Sequence, residues 1–362
     1  MEINVTRTSL PPFEEFCSQI RSLWDSHMVT NMGEKHQELE RRLEAFLEGP
    51  VTLYANGHLA LEAALRAWNL PRGSEVITTP FTFVSTVHAI VRCGLVPVFC
   101  DVREQDGTLD PDCLESLIGR ETSAILPVHV YGNVCQVERI GEIAQRHGLP
   151  VIYDAAHTFG VRYKGIPAVR YGDMSILSFH ATKVFSTVEG GAVCYADGRF
   201  RQRLEDERNF GIRDLEECEA AGGNAKLNEF QAAMGLCNLS HFADELLRRA
   251  RVYAWYKESL PSGVTLLSPR KGTEPNYAYL PVLFGSRRER DTAYGALKRA
   301  GIHARKYFYP LVSAYPPYQS TKGRPTPVAD SLSARVLCLP LYPDLSREEV
   351  DLICGLLEDY QE

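Results

Sequence analysis

Lys183 stands in SILSFHATKVFSTVEGGAVCY (residues 175–195), where two apolar runs meet at a polar knot. Ser178, His180 and Thr182 precede it, and Glu189, Gly190 and Gly191 follow. Asp154 ends another apolar run, in VIYDAAH, 29 residues earlier (183 − 154). An amine and a carboxylate at strand ends are what a cofactor with an aldehyde and a basic ring nitrogen requires. The amine holds the aldehyde as a Schiff base, and the carboxylate keeps the ring nitrogen protonated, so that the ring accepts electrons.

Pyridoxal phosphate is such a cofactor, and it also needs an aromatic face and a phosphate cradle. Lys183 is the candidate for the Schiff base; an exposed turn lysine is the plain alternative. Asp154 suits the pyridine nitrogen and equally suits a helix N-cap. His157 can orient Asp154, contact the ring, or be a satisfied core histidine. Phe83, in TPFTFVST, is a stacking ring or a core phenylalanine. Asn56-Gly57-His58 precedes a helical pattern and fits a phosphate cradle, because a helix N-terminus offers unpaired N–H groups; a simple turn and cap fits too. The Ser178 hydroxyl can serve the same phosphate or bond its own strand. Gly190 and Gly191 allow close backbone approach to a ligand, and Glu189 suits fixing the lysine loop. HExxH and zinc-type Cys/His spacings are missing, so no metal is expected.

The elements that must position these residues alternate from residue 51 to about 196. Strand-like VTLY (51–54), EVITTP, VPVFCDV (96–102), SAILPVHV, PVIYD (150–154), MSILSF and GAVCYA are separated by helical patterns at 58–68, 84–93, 110–119 and 137–147. Seven short apolar strands with helical crossovers predict an α/β fold, a mostly parallel sheet with helices on both faces. Ligands of such sheets lie beyond the C-terminal strand ends, where Asn56-Gly57-His58, Thr82-Phe83, Tyr131, Asp154–His157 and Ser178–Lys183 fall. After a charged stretch, a helical run from about 227 to 260 leads into strand AYLPVLF, helix RERDTAYGALKRAG and strand ARVLCLPL. A last helix is opened by a Ser346/Glu349 capping box. This predicts a large domain over 1–245 and a smaller α+β domain over 246–362.

Composition narrows the function classes. The 362 residues carry a formal net charge of −7, which argues against a nucleic-acid partner. No apolar run approaches the length of a membrane span, and the N-terminus lacks a signal-peptide pattern. Ten scattered cysteines without a CxxC pair suit a reduced, cytoplasmic protein. GxGxxG, GxxxxGK[ST] and GxSxG are absent, which removes the main support for a nicotinamide oxidoreductase, a P-loop kinase and a serine hydrolase.

VIYDAAHTFG, LSFHATKVFSTVEGGAV and GGNAKLNEFQAAMGLCNL resemble the sugar-nucleotide aminotransferases of the DegT/DnrJ/EryC1/StrS family. The resemblance implies aspartate-aminotransferase fold type I, pyridoxal 5′-phosphate on Lys183, and a homodimer with shared active sites. In it Asp154 pairs with the pyridine nitrogen, His157 supports the ring and Phe83 stacks on it. Ser178 and the Gly57-His58 turn hold the phosphate, and Asn228 reaches the phosphate of the neighbouring subunit. His58 departs from the small hydroxyl residue common in relatives, leaving open whether its imidazole or only its backbone meets the phosphate. LPPFEEF, MVTNMGEKHQELE, VITTPFTFVSTVHA, PVHVYGNVC and ARKYFYPLVS resemble the branch that aminates C4 of dTDP-4-dehydro-6-deoxyglucose, with L-glutamate as the usual donor. Arg213, Lys306 and Tyr309 are candidate contacts for the sugar nucleotide. The competing expectations are a 3-aminotransferase acting on a dTDP-3-keto-6-deoxyhexose and a non-catalytic, cofactor-binding regulatory protein.

Overall fold

The computed structural model describes residues 2–214, 216–319, 321 and 323–358. All seven expected strands form: β1 (Val51–Tyr54), β2 (Glu75–Thr78), β3 (Val96–Phe99), β4 (Thr122–Ile125), β5 (Ile152–Asp154), β6 (Met174–Ser178) and β7 (Gly191–Tyr195). Two ladders, β1-β7-β6-β5 and β3-β2-β4, are joined by parallel bridges Ile125–Val151 and Val128–Asp154. The sheet therefore reads 1-7-6-5-4-2-3, and only β7 runs antiparallel to its neighbours.

Alternation along the strands sends side chains to two separate cores. Ile176 and Val193 face the helices Gly57–Ala67 and Val84–Arg92, packing with Leu61, Ala64 and Ile90. Leu177 and Ala192 face the helices Glu34–Phe46 and Glu229–Ser240, packing with Leu39, Leu43 and Leu236. Both faces are thus covered, which is why the strands read as continuous apolar runs.

The expected run from 227 to 260 is two helices, Glu229–Ser240 and Phe242–Ser259. His241 leaves helical geometry (φ −98°, ψ 2°), and the Ser240 hydroxyl donates back to Leu236 O at 3.1 Å, a bond that competes with helix continuation. Three further strands, β8 (Thr265–Leu266), β9 (Leu280–Leu283) and β10 (Val336–Leu339), form an antiparallel sheet. Helices Phe242–Ser259, Arg287–Arg299 and Arg347–Glu358 pack with it through Val252, Leu297 and Ile353. The strand expected over ARVLCLPL is shorter, because its first residues close a helix that Pro327 opens, Pro327–Arg335. The Ser346/Glu349 box forms, with each backbone N–H donating to the other's side chain. A division at residue 245 falls inside Phe242–Ser259, and Ile3–Asn4 pairs with Ile302–His303 across it.

Candidate functional site

Asp154 is the last residue of β5 and is buried. Its Oδ2 accepts the Thr86 hydroxyl at 2.7 Å and its Oδ1 accepts the Ala156 N–H at 3.1 Å. Burial pushes the carboxyl above its usual range, opposed by these two bonds and by the Lys183 charge. The carboxylate is oriented from behind and faces the cavity with one cation, Lys183, acting on it.

Lys183 lies in the loop between β6 and β7. Val184 and Phe185 anchor that loop in the core, where Phe185 stacks on Phe159 at 4.2 Å. The Lys183 Nζ donates to the Tyr279 hydroxyl at 3.2 Å. Burial lowers the amine to about 8, opposed by the Asp154 charge. An ammonium and a carboxylate, each disfavoured by desolvation, therefore line one chamber.

His157 accepts the Tyr131 N–H on Nδ1 at 2.9 Å, which leaves the proton of the neutral ring on Nε2. Burial and the nearby lysine hold the imidazole well below its ordinary value. Its ring packs on Tyr279, centroids 4.6 Å apart. Tyr131 adopts φ +58°, an uncommon conformation for a non-glycine residue, to present that N–H.

At the far wall, the Asn56 side chain accepts the Leu59 N–H at 2.9 Å and its carbonyl accepts the Ala60 N–H. The N–H groups of Gly57 and His58 are thereby left at the start of an 11-residue helix. A Cβ on Gly57 would come within 2.8 Å of Ser178 Cβ, so the turn sits directly against the end of β6. Gly191 presses on the same turn: a Cβ there would lie 2.6 Å from the Asn56 carbonyl carbon. A Cβ on Gly190 would lie 2.0 Å from Thr187 Oγ1. The two glycines thus fit loop, strand and cradle together, where the sequence suggested approach to a ligand.

His58 has both ring nitrogens engaged, Nδ1 with Ser85 Oγ at 2.8 Å and Nε2 with Glu62 Oε1 at 3.2 Å. Phe83, just before the helix Val84–Arg92, is 56% exposed, an aromatic ring left uncovered at the cavity wall. Lys183, Asp154, His157, Phe83, Gly57 and His58 all line one cavity of about 650 Å³, together with Ser178.

Lys306, Tyr309, Arg213 and Asn228 do not line that cavity. Lys306 and Tyr309 line an adjoining cavity of about 330 Å³, which shares Thr82, Phe83, Arg305, Tyr307 and Phe308 with the first. Lys306 pairs with Asp291, and Arg290 sits 4.7 Å above the Tyr309 ring. Arg213 pairs with Asp206 at 3.0 Å and lines neither cavity. Asn228 caps Glu229–Ser240 in a reciprocal box with Gln231 and also lines neither. Glu189 lines the main cavity and is exposed, its carboxylate 3.7 Å from His180 Nε2.

Three residues at the site escaped the sequence reading. Thr86 carries the signal of a hydroxyl in a first helical turn, three residues after TPFTF. Tyr279 and Arg305 carry none, since each reaches the cavity from the C-terminal part of the chain. Among the described residues no group of three or more His, Cys, Asp or Glu side chains is placed to hold a metal, and no helix is long and apolar enough to cross a membrane.

Residues 13–358 match the DegT/DnrJ/EryC1/StrS aminotransferase family, and the chain belongs to it. It is 39% identical over 364 residues to the dTDP-4-amino-4,6-dideoxy-D-glucose transaminase of Shigella dysenteriae, covering 99% of this chain and 98% of that one. Identity to the Escherichia coli protein of the same name is 41% over 366 residues, covering 98% of each. The solved structure of DesI in the presence of its TDP-sugar product superposes with a TM-score of 0.91 at 32% identity, covering 98% of this chain and 92% of that one. The fold is aspartate-aminotransferase type I, and the protein is an aminotransferase.

Proposed function

We propose that this chain binds pyridoxal 5′-phosphate and transfers an amino group from L-glutamate to C4 of dTDP-4-dehydro-6-deoxyglucose, giving dTDP-4-amino-4,6-dideoxyglucose. The observation that carries the reading is Lys183 and Asp154 in one cavity, the amine lowered to about 8 and the buried carboxyl raised. The sugar and its position rest on the 39% and 41% identities to transaminases of that name.

The cavity fits the cofactor in charge and shape. A buried carboxylate oriented by Thr86 and the Ala156 N–H is matched to a protonated ring nitrogen, which relieves its desolvation. The Gly57 and His58 N–H groups beside Ser178 suit a phosphate at a helix N-terminus. Phe83 offers an uncovered ring face, and His157 is held by Tyr131 with its Nε2–H free for the cofactor. Asn228, which lines neither cavity of its own chain, serves the phosphate of a second copy in a cytoplasmic homodimer.

When bound, pyridoxal phosphate supplies an aldehyde for the amine and a ring that accepts the electron pair released at the amino-acid α-carbon. Lys183 is the residue that would hold the cofactor, and its amine, once freed, would serve as the base. Its lowered basicity leaves a substantial share of the amine neutral near pH 8, able to take the proton from the donor's α-carbon. In the second half-reaction the same nitrogen delivers a proton at C4 of the sugar. Asp154 would pair with the ring nitrogen, and a positive ring beside it would favour its carboxylate form. Arg305, Lys306 and Tyr309 line the side of the site assigned to the sugar nucleotide.

The test is product analysis. Purified protein, cofactor and glutamate are incubated separately with dTDP-4-dehydro-6-deoxyglucose and with a dTDP-3-keto-6-deoxyhexose, and the products are identified by mass and magnetic resonance. Amination at C4 of the first compound is expected. Amination of the 3-keto sugar alone, or of neither, overturns the assignment.

A further inference from the structure

Ser85 and Thr86 are adjacent hydroxyls in the first turn of Val84–Arg92; Ser85 lines the main cavity, and Thr86 is buried behind Asp154. Thr86 is committed to Asp154. Ser85 is committed to His58, and His58 in turn to Glu62, forming a chain from a buried carboxylate to a hydroxyl at the cradle wall. Resting on the reading of this cavity as a pyridoxal-phosphate site, we propose that Ser85 is a ligand of the phosphate. We further propose that His58, braced by Glu62, is the positioning residue that turns the Ser85 hydroxyl toward the anion by taking up a proton as it binds.

The direction of each bond follows from the groups. The Glu62 carboxylate can only accept, so the neutral His58 ring carries its proton on Nε2. Nδ1 is then bare, and Ser85 must donate its hydroxyl proton to it across 2.8 Å. In that state the serine oxygen shows only lone pairs to the cradle, which repel an anion.

Charged groups face the ring from several elements. From its own helix, His58 faces Glu62, which is also bound by Arg66 at 3.2 Å and by Arg92. From Val84–Arg92 it faces His88, itself bonded to the Tyr318 hydroxyl, and Arg92. Across the cavity stand Lys183, His180 and Glu189. Arg66 and Arg92 share Glu62, and Arg66 also lies 4.0 Å from Glu207, so Glu62 is held in place beneath the His58 ring. With the anion present, a solvent proton adds to Nδ1 and the Ser85 oxygen accepts from it. The serine's own proton stays on Oγ and turns to the phosphate. Ser178 and the Gly57 and His58 N–H groups complete the cradle.

The full-length protein, stripped of cofactor, is titrated calorimetrically with pyridoxal phosphate and, separately, with phosphate-free pyridoxal. Buffers of different ionisation enthalpy report the protons exchanged. Wild-type protein is expected to take up more protons than His58→Gln on binding pyridoxal phosphate, by a difference approaching about one. With pyridoxal the two proteins should exchange equal numbers. Ser85→Ala should weaken pyridoxal phosphate about tenfold, the loss of one hydrogen bond to a charged group, and leave pyridoxal unchanged. Ser85→Thr, which keeps the hydroxyl, should restore the affinity. Unchanged pyridoxal binding also shows that a variant has folded around its site. Equal proton uptake by wild type and His58→Gln overturns the coupling, and an unchanged preference for the phosphorylated compound in Ser85→Ala overturns the ligand role. If wild-type protein binds neither compound, the reading of the cavity itself fails.

Discussion

The floor of the main cavity and the wall of the adjoining one are held in different ways. On the floor, Asp154, His157 and Lys183 each have a polar partner at 2.7, 2.9 and 3.2 Å, supplied by Thr86, Tyr131 and Tyr279. On the wall, Arg305, Lys306 and Tyr309 belong to a segment that follows Ile302–His303. There cations lie over tyrosine rings, with Arg305 4.4 Å from Tyr307 and Arg290 4.7 Å from Tyr309. Hydrogen-bonded groups on strand ends define a proton's path closely, whereas cations on aromatic faces meet an anion without fixing its shape. The floor is thus suited to a chemistry common to many amino acceptors, and the wall to choosing among them.

Substitutions can break or sharpen this contrast. Lys183→Ala should leave the fold intact and abolish both half-reactions, with a loss of at least about 10⁴-fold in single-turnover absorbance measurements. Full turnover by that variant would remove the floor from the chemistry altogether. Asp154→Asn should retain cofactor yet slow α-proton removal from glutamate by roughly 10²- to 10⁴-fold, read as a deuterium-sensitive rate. Lys306→Ala should raise the KM for the sugar nucleotide about tenfold and leave the glutamate half-reaction alone. A matching loss with glutamate would merge the two regions into one.

The rate at which added pyridoxal phosphate is captured should follow the neutral Lys183 amine. It should fall about tenfold per pH unit below a midpoint near 8 and level off above it. A midpoint near that of an ordinary lysine would show an amine open to water.

The smallest effect lies beneath the sheet. Burial lowers His36 to about 4 and His129 to about 3, from 6.5 when unfolded. The unfolded chain therefore binds more protons between about pH 6.5 and these values, and stability should drop as pH falls through that window. The slope is at most about 1.4 kcal/mol per pH unit for each histidine. Denaturant melts of His129→Gln should show a shallower decline.

The sheet was legible because each strand is a short apolar run closed by polar or glycine punctuation. Asp154 and Lys183 were legible because each breaks such a run with a charge. Helix Glu34–Phe46 left a weaker trace, with only Leu39 and Leu43 as fully apolar buried contacts in a mostly charged segment. Thr86 and Tyr279 lie 68 and 96 residues from the groups they bond, a distance no local pattern spans. Gly190 and Gly191 were visible as sites of close approach, but what approaches them is Thr187 and the Asn56-Gly57 turn. The break at His241 was hidden because the sequence on both sides is helical.

Tyr279 has a consequence for any attempt to divide the chain. A fragment ending at residue 245 would keep the β-strand that ends in Asp154 and the loop bearing Lys183, but not the phenol beside the amine nor Phe308 over the imidazole. Water would enter from that side and Lys183 would regain the basicity of a surface lysine. Adding back the missing half in trans would restore a reactive amine only as the two pieces reassemble, making aldehyde capture a gauge of their union.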